Sequence, residues 1–499
     1  MIATATAAAQ RLLNRRGGGT ISRMALRVHV VGSLSVLLGG ALVVGCGDSG
    51  RESGSSTASG SSGGSLTLTT SGSDAGTEGT EGSSASGSGS DSDGSTSGNT
   101  TESTTSSGSS ATSGLKFDLA GTPDIELGCG DSGGGDIDES FIWIPTTSAG
   151  TVSKIDTRTL VEVARYNTGP SGETESVSRT AVAGDGRFVV VNSRGTGRST
   201  AVAANVADCV DQNNDGFITT SQSAADVLPW GADECVVWSI IHPTWGGQYT
   251  WGPRGITWTI GDWNPGTCSY INQKVWLGFL SGNGDGHLVR LDGATGVQEE
   301  LIAVPGWNGQ GYAPYGGALD PQDRPWFTGL RGELVRVNTD KQPIDVTRFS
   351  QPGEIQSYGM TVDPDGNPWM AGCQGPVSTY DVNLNQWISV PGTSACHRGM
   401  AIDHDFGVWV ASNGPCELVQ IDGPTRTLVA KHQLAQCGTP IGVSVDVDGY
   451  VWLVDQSGWA WKIDPDNVPA AQMIPVSASH YVYSDMTGGQ LKSIINPPG

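Results

Sequence analysis

The sequence predicts an all-β protein, a seven-bladed β-propeller preceded by a flexible tether. Its 499 residues include 74 glycines and 16 tryptophans, and only 15% are charged, which suits short strands joined by tight turns. Tryptophans recur about every 40 residues, each after an Asp-containing turn. A Gly/Ser/Thr-rich tract separates this repetitive part from the N-terminus.

The N-terminus, residues 1–46, is predicted to be an export signal. Arg23 and Arg27 flank Met24, an alternative start, and precede an apolar run that ends in VVGC at Cys46. This ending resembles the bacterial lipobox, which implies a lipid on Cys46. An ordinary secretory signal with an incidental cysteine is the alternative.

Residues 47–114 form the predicted tether, and residues 115–499 the propeller. The tether offers almost no apolar surface to offset chain entropy, so it is expected to remain flexible. A lipid, a tether and a globular domain together predict a lipid-anchored protein of the cell envelope, at the outer membrane or cell surface of a Gram-negative bacterium. The membrane is then contacted only through the anchor.

The net charge of −23, from 50 acidic and 27 basic residues, argues against nucleic-acid binding. Such binding depends on clustered Lys and Arg that neutralise phosphates, and the globular part has no basic patch. We expect a monomer.

Four stretches set the repeat, and their tryptophans lie 43, 40 and 43 residues apart. These stretches are YGGALDPQDRPWFTG, YGMTVDPDGNPWMAG, RGMAIDHDFGVWVAS and IGVSVDVDGYVWLVD, with Trp326, Trp369, Trp409 and Trp452. Trp143, Trp276 and Phe188 mark further units. Seven units of about 40 residues with four strands each are typical of a β-propeller, and the tryptophans are expected to pack between blades.

The first unit lacks an innermost strand, because a loop-like sequence precedes SFIWIP. The C-terminal YSDMTGGQL is predicted to supply it. Such closure would leave no unpaired strand edge in the ring.

An insertion at about residues 207–250, in the second blade, contains DQNNDGFITTSQ, which is predicted to bind structural calcium. Side-chain and carbonyl oxygens at alternating positions suit a hard cation, and glycine allows the sharp turn. Gln222 stands where a bidentate Glu is usual, so Asp226, Asp233 or Glu234 would have to complete the site. An Asx-rich turn without an ion is the alternative. The candidate ligands are Asp211, Asn213, Asp215, Phe217, Thr219 and Gln222.

Apart from Cys46, eight cysteines remain, and an even number in an oxidising compartment predicts disulfides. Nearest-neighbour pairing is the favoured arrangement, although the sequence does not fix it. The candidate pairs are Cys209–Cys235, Cys373–Cys396 and Cys416–Cys437.

Propellers bind ligands at the mouth of the central channel, where the innermost strands begin. Five of the residues that open these strands are followed by glycine, which allows crowding at the rim. Arginines, tyrosines and a histidine there could hold an anionic or aromatic ligand. A solvated rim without a ligand is the alternative. The opening residues are Ser178, Arg254, Tyr315, Tyr358, Arg398 and Ile441, and the candidate ligand-binding residues are Arg254, Tyr315, Tyr358, His397, Arg398 and Asp485.

The repeated pattern G-x-x-x-D-x-x-G-x-x-W resembles the virginiamycin B lyase (streptogramin lyase) family, and NHL-type propellers share much of it. The resemblance implies elimination at an ester linkage, with a histidine as base and Mg²⁺ held by acidic residues. His397 is the candidate base. The positions that would carry carboxylates hold Gly329, Gly372, Ser412 and Asp455, so a single carboxylate is kept.

Three functions are compatible with these observations. The favoured one is a binding module for a small molecule, glycan or protein at the channel mouth. A streptogramin-type lyase and a purely structural envelope protein are the alternatives.

Overall fold

The computed structural model describes residues 140–264, 266–267, 269–477, 479–489 and 491. The predicted signal, Cys46 and the tether lie outside these residues, as do Cys129 and Cys268. Seven antiparallel sheets follow one another along the chain as the blades of a propeller, which confirms the predicted fold. Within the described part, no helix is long and apolar enough to cross a membrane.

Blades 2 and 3 contain the larger insertions. Blade 1 consists of β1 (Phe141–Thr146), β2 (Thr151–Asp156) and β3 (Glu162–Asn167). Blade 2 consists of β4 (Val177–Val182), β5 (Phe188–Ser193), β6 (Arg198–Ala203) and β7 (Val236–Ile241). Blade 3 consists of β8 (Ile256–Trp258), β11 (Lys274–Leu280), β12 (Gly286–Asp292) and β13 (Gln298–Val304), with the hairpin β9 (Asp262–Asn264) and β10 (Ser269–Ile271) between its first two strands.

The last four blades are more regular. Blade 4 consists of β14 (Gly316–Leu319), β15 (Pro325–Thr328), β16 (Leu334–Asn338) and β17 (Asp345–Phe349). Blade 5 consists of β18 (Gly359–Val362), β19 (Pro368–Ala371), β21 (Ser378–Asp381) and β22 (Gln386–Ser389). Blade 6 consists of β23 (Ala395–Ile402), β24 (Gly407–Asn413), β25 (Glu417–Asp422) and β26 (Thr427–His432), with β20 (Cys373–Gly375) added along β23. Blade 7 consists of β27 (Pro440–Val445), β28 (Val451–Asp455), β29 (Trp459–Ile463) and β30 (Gln472–Pro475).

Five short turns of the described part have 3-10 helical geometry. These turns are Gly172–Glu175, Val206–Asp208, Tyr249–Trp251, Gly309–Gly311 and Val468–Ala470.

The repeated Asp and Trp of blades 4 to 7 form one hydrogen-bonded unit. In blade 7, one carboxylate oxygen of Asp446 accepts the backbone N–H of Asp448 and of Tyr450, each at 3.0 Å, which closes the turn. Its other oxygen accepts the indole N–H of Trp452 at 2.8 Å. The turn that starts the second strand and the indole that packs between blades are therefore held by one carboxylate.

The same bond recurs in the three preceding blades, where the indole N–H donates to the Asp six residues earlier. These pairs are Asp320–Trp326, Asp363–Trp369 and Asp403–Trp409. All four indoles are fully buried. Burial raises the pKa of Asp363, Asp403 and Asp446 above the ordinary value, and the bonds from the indoles oppose that rise.

The chain end closes the ring, as the sequence predicts. Residues 479–487, here called the closing segment, lie beside β1 without forming a regular strand. The N–H of Trp143 donates to the carbonyl of Met486 at 2.9 Å, and the N–H of Thr147 donates to Ser479 at the same distance. The closing segment therefore stands where blade 1 lacks an innermost strand.

Candidate functional site

The innermost strands crowd together where they begin. A Cβ atom added to Gly399 of blade 6 would lie 2.6 Å from the carbonyl oxygen of Ile441 in blade 7. A side chain there would clash with the neighbouring backbone, so glycine is needed for this close approach. Tyr315 and Tyr358 directly precede the corresponding glycines of blades 4 and 5.

Blade 2 departs from this pattern. The pairing of β4 with β5 shifts between Val177 and Thr180, as the pairing of β23 with β24 shifts between His397 and Met400. Counting from these bulges, Arg179 takes the place that Gly399 has in blade 6. The alignment of the repeats predicts Ser178 as the residue that opens the innermost strand of blade 2. In the structure its neighbour Arg179 contacts the other site residues.

Four buried tyrosines contact one another where the innermost strands begin, and we call them the tyrosine cluster: Tyr315, Tyr358, Tyr481 and Tyr483. The hydroxyl of Tyr358 shares a hydrogen bond with that of Tyr481 at 2.9 Å, and it also bonds the hydroxyl of Tyr483. Tyr315 bonds Tyr481 in the same way. All four are at most 3% exposed. Two of the four come from the closing segment, which thus supplies side chains to the channel as well as closing the ring.

Burial keeps these phenols neutral. It is the largest cause raising the pKa of Tyr358 and Tyr483 well above the ordinary value, and it outweighs the opposing effect of Arg398. No phenolate is therefore formed at neutral pH to balance the nearby guanidinium groups.

Arg398 and Arg179 approach the tyrosine cluster from blades 6 and 2. Arg398 Nη1 donates to the hydroxyl of Tyr358 at 3.0 Å and to that of Tyr483 at 3.4 Å. The guanidinium carbon of Arg179 lies 3.9 Å from the ring centroid of Tyr483, 4.8 Å from that of Tyr315 and 5.2 Å from that of Tyr481. These are cation–π distances, so positive charge and aromatic faces share one site.

Arg194 also contacts the cluster, and its side chain is held by its own blade. Its guanidinium carbon lies 4.2 Å from the Tyr481 ring centroid. Its Nε and Nη2 donate to the carbonyl and hydroxyl oxygens of Ser176, at 3.1 and 3.2 Å. Arg194 is thus positioned by the loop before β4.

Arg254 is held by the loop before β8. Its Nη1 donates to the carbonyls of Thr250 and Gly252, at 2.9 and 3.1 Å, and its Nη2 donates to that of Tyr249 at 3.3 Å. Its guanidinium carbon is 5.8 Å from the Tyr315 ring centroid. Arg254 therefore supports this loop as well as adding positive charge beside the cluster.

His397, the candidate base, is fully buried and bonds the carbonyl of Thr393 through Nε2. Burial is the largest cause that lowers its pKa. Among the contacts of the described residues, none brings a carboxylate to its ring. The carboxylate of Asp455 instead accepts the backbone N–H groups of Gly438 and Thr439, at 2.8 and 2.7 Å. A general base paired with a metal-holding carboxylate is not assembled from these two residues.

The remaining candidate, Asp485, lies in the closing segment. One of its carboxylate oxygens accepts the N–H groups of Thr487 and Gly488, at 3.0 and 2.9 Å. Its carbonyl accepts the hydroxyl of Thr180 at 3.3 Å. Asp485 therefore connects the closing segment to β4, close in sequence to Arg179.

A polar pocket of about 470 Å³ lies at the same end of the blades. Its walls come from the loop before β14, the β15–β16 loop and the loop before β18. In antiparallel blades these loops share the end at which the innermost strands begin. Gln310 and Arg331 line it with left-handed φ angles of 57° and 48°, which are strained for residues other than glycine. The other lining residues are Gly332, Glu333, Gln351, Pro352, Gly353, Ile355 and Gln356.

The predicted calcium loop follows β6. Asp211 accepts the N–H of Gly216 at 2.9 Å, Asn213 accepts that of Asp215 at 2.8 Å, and Asp215 accepts that of Phe217 at 2.9 Å. The alternating oxygens thus hold a tight turn. Phe217 is 78% exposed, so its side chain stands in solvent.

Glu234, and not Gln222, brings a carboxylate to this loop. Its two oxygens accept the N–H groups of Gln212, Asn213 and Thr219, at 3.0, 3.2 and 2.7 Å. Gln222 uses its amide to donate to the carbonyl of Thr220. An oxygen-only donor set with a returning glutamate has the chemistry that calcium prefers.

Three disulfides are present in the described part, and they are the nearest-neighbour pairs predicted from the sequence. Cys209–Cys235 closes the base of the insertion that carries the predicted calcium loop. Cys373–Cys396 joins β20 to β23, and Cys416–Cys437 lies beside Asp455. The last two sulfurs are oxidised, so they are not free to bind a metal with Asp455. Disulfides are typical of extracytoplasmic proteins.

No protein-family profile and no curated protein matches the chain. A solved streptogramin B lyase is 17% identical, with 63% of this chain and 87% of that chain covered and a TM-score of 0.45. A virginiamycin B lyase from Staphylococcus aureus is 13% identical, with 62% and 89% covered and a TM-score of 0.42. Apo AztD from Citrobacter koseri is 9% identical, with 70% and 98% covered and a TM-score of 0.45. The chain is similar to these proteins in its propeller fold, and the likeness extends to nothing beyond the fold.

Proposed function

We propose that this protein is an extracytoplasmic binding module that holds its ligand at the channel mouth. The observation that carries the proposal is the convergence of Arg179, Arg398 and the tyrosine cluster on one point of the channel. These residues come from blades 2, 4, 5 and 6 and from the closing segment. Side chains from distant parts of a chain that combine cations with aromatic faces are typical of ligand sites.

The chemistry of this site favours recognition over catalysis. Guanidinium groups bind carboxylates and phosphates, and aromatic faces bind planar apolar groups. Acid–base catalysis instead requires a positioned proton acceptor, and His397 has its Nε2 engaged with the Thr393 carbonyl. We therefore expect no elimination when the protein is incubated with a type B streptogramin and the products are followed by mass spectrometry. Detection of the linearised antibiotic would instead support the lyase function.

The polar pocket beside blade 4 extends the proposed binding surface. Its amide side chains suit a hydroxylated or peptidic portion of a ligand whose anionic or aromatic end reaches the cluster. A small molecule, a glycan and a peptide from a protein partner are all compatible with such a surface.

We propose further that a lipid on Cys46 anchors the protein in the cell envelope and that calcium orders the blade 2 insertion. The disulfides support an oxidising location. Labelled palmitate should enter the full-length chain and not its Cys46→Ser variant. Equal labelling of both chains would exclude this anchor.

The binding role is tested with the full-length Cys46→Ser chain against a library of organic acids, aromatic compounds, glycans and peptides. Binding is followed by thermal shift and by mass spectrometry of captured compounds. A true ligand should lose at least tenfold in affinity with Arg398→Gln and remain unaffected by Arg158→Gln, a change at a surface ion pair. Binding that both variants preserve would place the site elsewhere, and no binding from any class would favour a structural role.

A further inference from the structure

Among the residues that the structure describes, none accepts a hydrogen bond from the N–H groups of Arg179. The residue is 0% exposed, and none of its Nε, Nη1 and Nη2 atoms has a hydrogen-bond partner. Arginine is seldom buried without a partner, because its charge and five N–H groups lose their water. A fully buried guanidinium without an acceptor therefore calls for an explanation.

The tyrosines give this guanidinium cation–π contacts but no hydrogen bond. Three rings lie within 5.2 Å of its central carbon, whereas its N–H bonds project from its edge, in its own plane. The hydroxyls nearby are bonded to one another and to Arg398. Among the described residues, no oxygen therefore accepts a hydrogen bond from Arg179.

Two of the rings that cover Arg179 belong to the closing segment. Tyr481 and Tyr483 come from the closing segment, which bonds β1 through the N–H groups of Trp143 and Thr147 and forms no regular strand. A ligand would have to displace one of these rings to reach the guanidinium, and this does not require the blades to separate. Displacement of one side chain costs much less free energy than unfolding of a blade.

We propose that Arg179 is the anion-binding residue of the channel and that it takes the carboxylate of a small organic acid. This inference rests on the proposed binding function and narrows its ligand class. A carboxylate is planar and accepts two parallel N–H bonds from a guanidinium edge. We therefore expect the site to favour a planar carboxylate over a tetrahedral phosphate.

The test is calorimetric titration of the full-length Cys46→Ser chain with benzoate, acetate, phosphate and the neutral analogue benzamide. We expect benzoate to bind, acetate to bind more weakly, and phosphate and benzamide not to bind. Arg179→Gln should reduce benzoate affinity at least tenfold, with a smaller loss for Arg179→Lys, because lysine keeps the charge without the planar fork. Arg158→Gln is the matched control.

A second measurement avoids dependence on a foldable variant. In the wild-type sequence with ¹⁵N-labelled arginine, benzoate should shift one buried Nε–H resonance and give a contact to the ¹³C-labelled carboxylate. Equal benzoate affinity in Arg179→Gln, equal binding of phosphate, or no shifted buried resonance would each overturn the inference. If a neutral ligand binds at the channel with Arg398 dependence while benzoate does not, the binding function stands and the carboxylate assignment falls.

Discussion

The backbone N–H of Trp143 donates to the carbonyl of Met486 at 2.9 Å, so the first described strand and the closing segment belong to one blade. The bond joins residues that are far apart in the sequence. Blade 1 is complete only when both are in place, and the tyrosine cluster depends on the same closing segment.

Val482 tests this closure. It is fully buried, and a Cβ added to Gly442 would lie 2.8 Å from its Cγ1, so it packs directly on blade 7. Val482→Asp should lower the free energy of unfolding by more than about 4 kcal/mol, because it buries a charge without a partner. Chemical denaturation followed by circular dichroism measures the change. Val429→Asp, at a residue 56% exposed in blade 6, is the control and should cost less than about 1 kcal/mol. Similar losses in both variants would mean that the closing segment does not hold the ring.

The bond between Asp446 and Trp452 can be separated from the packing of the indole. Trp452→Phe removes the N–H that Asp446 accepts, whereas Trp276→Phe removes an N–H that has no partner, and both indoles are fully buried. We expect Trp452→Phe to cost about 1–3 kcal/mol more in the free energy of unfolding, since a buried carboxylate loses its donor. Thermal and urea unfolding measure the difference. Equal costs would show that the indole contributes only packing at this position.

His480 should make the protein acid-sensitive. Burial lowers its pKa from 6.5 to about 4, and its Nδ1 bonds the carbonyl of Pro145 at 2.9 Å. Below pH 6.5 the unfolded chain takes up a proton that the folded chain refuses until about pH 4, so stability falls over this window by up to about 3 kcal/mol.

His480→Asn provides the comparison, because its amide can still donate to Pro145 and does not titrate. The stability of this variant should fall less steeply than that of the wild type between about pH 6.5 and pH 4. The raised pKa values of the buried Asp363, Asp403 and Asp446 act in the opposite direction in both proteins, so they cancel in the difference. Parallel profiles would exclude His480 as the source of acid sensitivity.

Calcium should stabilise the blade 2 insertion. Isothermal titration calorimetry with calcium is expected to give a dissociation constant of about 10⁻⁴ M, in the range of extracellular calcium-binding modules. Asp211→Asn with Asp215→Asn should abolish binding, because two of the negative charges are lost. Asp365→Asn with Asp466→Asn, two exposed turn residues, is the matched control. Unchanged binding in the first variant, or no heat with either protein, would leave the loop as an Asx-rich turn.

The propeller could be predicted because its signals are local and repeated. The Asp of each turn and the Trp six residues later are visible in the sequence, and the structure joins them through a hydrogen bond. The three disulfides could be predicted because their signal is also local: each joins two cysteines that are neighbours in the sequence. Repetition makes such features readable without a structure.

The candidate site was less accessible to sequence analysis. Arg179 was missed because its position is glycine in the other blades, so the alignment pointed to the preceding residue, Ser178, although the missing glycine in blade 2 is a visible sign. Tyr481 and Tyr483 lie outside any repeat, so no alignment points to them. The sequence offers Asp226, Asp233 and Glu234 as residues that could return to the predicted calcium loop, and the choice of Glu234 depends on the fold of the insertion.

Because blade 1 is formed by both β1 and the closing segment, it can be completed only late in synthesis. During synthesis β1 emerges early, and its inner edge finds its partner only when the final stretch of the chain has arrived. Until then that edge is open to pairing with other molecules, so nascent or truncated chains should aggregate far more readily than finished ones.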